Sequence, residues 1–165
     1  MSWILSGVII GACAYIGIGV SLYYKKREGL FMEIGIFCNK LKNDINFSHK
    51  AVLEILNDTI PTFKSPLKDI LSQYKKKILD GEFTNFSNLK IIKSAYLKQN
   101  ETDIIIQFLS QLGKSDAQNQ SAVITAFENN FKVFKDECYL EKKKYSALYI
   151  KLSLLIGVLI CIILM

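Results

Sequence analysis

Catalysis and metal binding need nucleophiles, bases or ligands at reachable spacing, and this chain offers few. His49 is the only histidine. It stands between Ser48 and Lys50 beside a predicted helix boundary, with no Ser or Cys nucleophile placed to use it. It reads as an exposed turn residue rather than a ligand or a general base. The four cysteines, Cys13, Cys38, Cys138 and Cys161, form no C-x-x-C pair and share no spacing with a histidine. They read as small packing residues. No G-x-x-x-x-G-K-[ST] phosphate loop, no G-x-G-x-x-G after a strand and no H-E-x-x-H is present. The expectation is therefore a protein that is not an enzyme, with no catalytic, cofactor-binding or metal site and no small-molecule substrate.

The remaining polar and small-residue patterns point to contacts. Gly7 and Gly11 form a G-x-x-x-G, which permits close approach of another helix in a membrane. Lys142, Lys143 and Lys144 form a basic cluster that could meet anionic headgroups or an acidic partner, as could the lysines at 75–77. Glu141 interrupts an apolar stripe, and it either pairs with a neighbouring lysine or meets a partner. Nucleic acid is a poor fit to this charge, because Arg27 is the sole arginine and acidic residues are mixed through the same segments.

The elements that must hold these residues fall into three parts. Residues 3–24, "WILSGVIIGACAYIGIGVSLYY", carry no charge over about 22 positions, enough as a helix for the ~30 Å core of a bilayer. Residues 149–165 end in "LSLLIGVLICIILM", a shorter run that Lys151 could extend by snorkelling. All 21 Lys and Arg lie between Lys25 and Lys151, and all 15 acidic residues between Glu28 and Glu141, giving the middle a net charge of +6. Both apolar runs have basic flanks on their inner sides, which the positive-inside bias assigns to the cytoplasm. The expected architecture is all-α: a transmembrane helix over 1–24, a cytoplasmic helical bundle over 25–148 and a transmembrane helix over 149–165, with both termini outside. A cleaved signal peptide fits less well, since "MS" has no basic residue and the apolar core is too long.

In the middle, apolar residues recur at helical spacing, and the two prolines, Pro61 and Pro66, share one loop. Breaks are expected at 46–50, 58–66, 80–88, 98–102 and 113–120. Ser65 and Thr102 are candidate helix caps, with Pro66 at a first helical position. Phe31, Ile34, Cys38, Leu41 and Ile45 form one stripe. Ile124, Phe127, Phe131, Phe134, Cys138, Glu141, Tyr145, Leu148, Leu152 and Leu155 form another, which predicts a single unbroken helix of about 45 residues. The two stripes are expected to pack on each other. Between them, Leu112 and Gly113 predict a helix end with Gly113 in the left-handed position, and Ser115 or Asp116 a cap for the final helix.

The stretch "FLSQLGKSDAQNQ", Phe108 to Gln120, resembles the "LG..D...Q" segment of the stage III sporulation protein AB family, with Leu112, Gly113, Asp116 and Gln120 at the motif positions. Chain length, the charged helix ending in Asp44 and Ile45, "SPL" at 65–67 and Gly157 in the last apolar run extend the similarity. Ala51 and Val52 replace the "PL" often found there. The resemblance implies a membrane protein of endospore formers, placed in the mother-cell (outer forespore) membrane. It also implies a subunit of the secretion-like channel between mother cell and forespore. Similarity to the inner-membrane platform protein of type II secretion and type IV pilus machines implies an adaptor. Its partners would be the stage III sporulation protein AA ATPase, other channel subunits and membrane lipid. The alternatives are a holin-like pore, for which the apolar runs hold few polar groups, and an unrecognised membrane enzyme.

Overall fold

The computed structural model describes residues 2–81, 97–114 and 116–164, the side chains of 2–10, 117, 161, 163 and 164 excepted, and every regular element among them is helical. In chain order these are α1 (Ser2–Phe47), α2 (Val52–Thr59), a 3-10 turn (Ile60–Thr62), α3 (Leu67–Leu79), α4 (Gln99–Gln111), α5 (Ala117–Glu141), a π turn (Lys142–Ser146) and α6 (Ala147–Leu164). The chain divides into a terminal unit, residues 1–28 with 136–165, and a central unit, residues 29–135.

The central unit is built by amphipathic stripes. From α1, Phe31, Ile34, Cys38, Leu41 and Ile45 are buried, as their spacing predicts, and Leu30 and Phe37 widen the stripe. Ile55 and Leu56 of α2, Ile70 and Leu71 of α3, and Ile105, Phe108 and Leu109 of α4 are buried as well. From α5 come Ile124, Phe127, Phe131 and Phe134. Aromatic rings join the helices: Phe31 lies 5.5 Å from Phe134, and Phe108 meets Phe131 edge-on at 5.4 Å.

Several expected helix ends differ in chemistry. α3 begins at Leu67 with Pro66 just before it, and the Ser65 hydroxyl donates to the Asp69 carboxylate at 2.6 Å rather than capping the backbone. α4 begins at Gln99, one turn before Thr102. Thr102 instead donates its hydroxyl to the Lys98 carbonyl at 3.1 Å, while Glu101 accepts the Lys98 N–H at 2.9 Å. That back-reaching carboxylate satisfies an end group and makes a hydroxyl cap unnecessary. The break expected at 80–88 lies mostly outside the described residues.

The membrane part of the expectation is corrected. Among the described residues no helix is long and apolar enough to cross a membrane. The two transmembrane helices, the orientation with both ends outside, the membrane localisation and the integral-membrane platform role all fall with this finding. So does the holin-like alternative, which needs spans.

The single helix expected from Ile124 to Leu155 is interrupted by the π turn. A π turn places residues five apart on one side, so the 3,4 stripe cannot run through it in register. Leu148, Leu152 and Leu155, beyond the turn, are exposed.

Candidate docking site

The motif residues build a corner of the central unit. After α4, Leu112 is extended (φ −64°, ψ 132°) and buried, and Gly113 follows at φ +77°, where a side chain would be strained. No carbonyl of α4 takes up the Gly113 N–H. It donates instead to Gln120 Oε1 at 3.1 Å, and Gln120 is itself buried. Gln120 thus does from the next helix what a backbone carbonyl does in an ordinary helix stop. The Asp116 carbonyl accepts the Gln120 N–H at 2.8 Å, which starts α5, while its exposed carboxylate accepts from the Asn119 side-chain amide at 2.6 Å. The expected Asp116 cap of a backbone N–H is thereby replaced by a side-chain bond, and Ser115 lies outside the described residues. Gly113→Ala should cost about 1–2 kcal/mol in urea unfolding, from the left-handed backbone alone. A Cβ there would lie an ordinary 3.7 Å from Val52 Cγ2, so no clash adds to it.

A second corner faces the same space. At the end of α1 the Asp44 carbonyl accepts both the Ser48 N–H (3.1 Å) and the Lys50 N–H (3.3 Å), and His49 between them has φ +50°. His49 is therefore a left-handed residue just past the end of α1, a conformation that glycine usually holds. His49→Gly should stabilise the protein by about 1 kcal/mol in the same assay, because it removes left-handed strain without removing a described hydrogen bond. Between the two corners lies a cleft of about 430 Å³. Ile45, Val52, Leu53, Ile78, Leu109 and Leu112 give it apolar walls, and His49, Lys50, Ser110, Lys114 and the buried Gln120 its polar lining. Tyr74 also lines it, and burial pushes its phenol above the ordinary value, so it stays protonated.

The described lining of this cleft holds one histidine, His49, and no cysteine or carboxylate beside it. Among the described residues no group of three His, Cys, Asp or Glu side chains could hold a metal ion. Cys38 is buried, and its thiol is pushed up to about 12, chiefly because burial strips the thiolate of water, with Glu128 adding to the effect and Lys42 opposing it. A thiol so held is no nucleophile near neutral pH. Cys13, Cys38 and Cys138 are free of disulfides.

The other residues singled out in the sequence lie in the terminal unit, where α1 pairs with the α5 end, the π turn and α6. Gly17 marks the close approach: a Cβ there would lie 3.2 Å from the Ile150 Cα and 2.3 Å from the Ser153 hydroxyl. Gly11 has nothing within 4 Å of such a Cβ, and the surroundings of Gly7 lie outside the described residues. Ser21 and Ser146 share a hydrogen bond at 2.6 Å, and Tyr24 stacks on Tyr145 at 5.9 Å. Arg27 donates to Glu141 at 2.5 Å, and Lys142 donates to Glu28 at 2.6 Å. Glu141 is thus held by the one arginine of the chain. Lys143 and Lys144 are exposed, with the Lys144 ammonium 5.2 Å from the Tyr145 ring centre.

The family model described as stage III sporulation protein AB matches residues 2–165, nearly the whole chain. The chain belongs to that family. No curated protein and no solved structure matches it. In this family member the motif positions Leu112, Gly113 and Gln120 serve the backbone of a corner, while Asp116 is exposed beside it. Sequence reasoning missed Arg27, Gly17 and the left-handed role of His49. For Arg27 a signal existed: it is the sole arginine, in a chain rich in lysine.

Proposed function

We propose that this stage III sporulation protein AB chain is a non-catalytic docking protein of the sporulation machinery, and that the stage III sporulation protein AA ATPase is its partner. The observation that carries the reading is surface chemistry. An apolar cleft of about 430 Å³, walled by Ile45, Val52, Leu53, Ile78, Leu109 and Leu112 and edged by Lys50 and Lys114, stands open in the central unit. Contiguous apolar surface of this kind marks interaction sites in folded proteins. The described residues at the same time offer no constellation for chemistry. A tagged full-length chain recovered from sporulating cells should bring the ATPase with it in stoichiometric amount. Recovery without the ATPase, under conditions that keep the chain folded, would overturn the choice of partner.

A further inference from the structure

We infer that the cleft between the His49 corner and the Gly113 corner is the groove in which a protein partner seats an acidic segment carrying apolar anchors. This rests on the reading of the chain as a docking protein for the ATPase and names the surface used.

Charge complementarity selects the occupant. Among the described residues no carboxylate lines the cleft, whereas Lys50 and Lys114 do. Lys50 is committed to Asp58 at 2.8 Å. Lys114 is exposed and makes no ion pair among the described residues, so it is the cation on offer at the mouth. The walls below it, Val52, Leu53, Ile78 and Leu109, are aliphatic. A segment with Asp or Glu at the mouth and leucine-like side chains inside satisfies both features, as an amphipathic helix does in a groove.

The groove is also built in advance of binding. Its two sides are the stops described above, one closed by the Asp44 carbonyl and the other by Gln120, so little chain ordering is left for the partner to impose.

The test titrates purified ATPase against the full-length chain and two variants, Lys114→Glu and Ser110→Tyr, with thermal unfolding of each chain recorded alongside. Lys114→Glu removes the free cation at an exposed position, and Ser110→Tyr fills the cleft from α4. Lys114→Glu is expected to weaken binding about tenfold or more, mostly at low salt, and Ser110→Tyr to weaken it at all salt concentrations. If Ser110→Tyr lowers thermal stability, Lys114→Glu alone decides. Wild-type binding with undiminished binding by a folded Lys114→Glu chain overturns the groove and leaves the partner standing. Failure of the wild-type chain to bind the ATPase overturns both.

Discussion

Phe131→Ala should lower the unfolding free energy by about 3–5 kcal/mol, the largest effect expected of any single truncation in the central unit. Phe131 is 1% exposed and stands where three helices meet. Its ring lies 6.4 Å from Phe31 of α1, 5.4 Å from Phe108 of α4 and 6.3 Å from Phe127 on its own helix. Truncation removes the transfer free energy of the ring and leaves a cavity lined by rings that cannot collapse into it from three directions. Urea unfolding should show a lower midpoint with an unchanged slope, since the surface exposed on unfolding hardly changes. The contrast is Leu155→Ala on α6. At 61% exposed, Leu155 has little burial to lose, and its truncation should stay within about 0.5 kcal/mol of the parent. A Phe131→Ala chain as stable as Leu155→Ala would mean that the aromatic cluster is not the core.

Glu141→Ala should cost about 3 kcal/mol, through the guanidinium it leaves behind. The Arg27 side chain is 2% exposed and Glu141 is 26% exposed, so water screens the pair on one side only. Removing the carboxylate leaves a buried cation without this partner, the costly direction in which to break such a pair. The partial exposure of Glu141 keeps the expectation at the low end of the range for buried pairs. The double variant Arg27→Met with Glu141→Leu removes both charges and should recover most of the loss, because two apolar side chains of similar volume carry no desolvation cost. If both the single and the double variant unfold like the parent, the pair contributes nothing and Glu141 is free to serve as a contact.

Much of the helical core could be read from spacing. Phe31, Ile34, Cys38, Leu41 and Ile45 repeat at three and four, and burying such a stripe needs no knowledge of what covers it. The ends of α1 and α4 were legible to within a few residues, because Asn46, Ser48 and Gly113 are poor helix interior residues. The chemistry inside those ends was not. A left-handed histidine at position 49 looks like any loop residue until the Asp44 carbonyl is seen to hold both flanking amides. The bond from Gly113 to Gln120 and the pairing of Arg27 with Glu141, 114 residues away, are tertiary facts with no local signature. The apolar runs misled for a related reason. Hydropathy gives the composition of a segment, and among the described residues no helix is long and apolar enough to cross a membrane. As for the site, the motif positions were found, but the cleft they shape was not, because its other wall comes from Ile45, Val52 and Leu53, far away in sequence.

The central claim, that this family member works by seating a partner in the central cleft, is tested most directly by amide hydrogen exchange on the full-length chain with and without saturating ATPase. The account predicts slower exchange at Val52, Leu53, Ser110 and Lys114 in the complex, and little change along α3 on the side away from the cleft. Unchanged exchange at those four amides, with protection appearing only in the terminal unit, would contradict it.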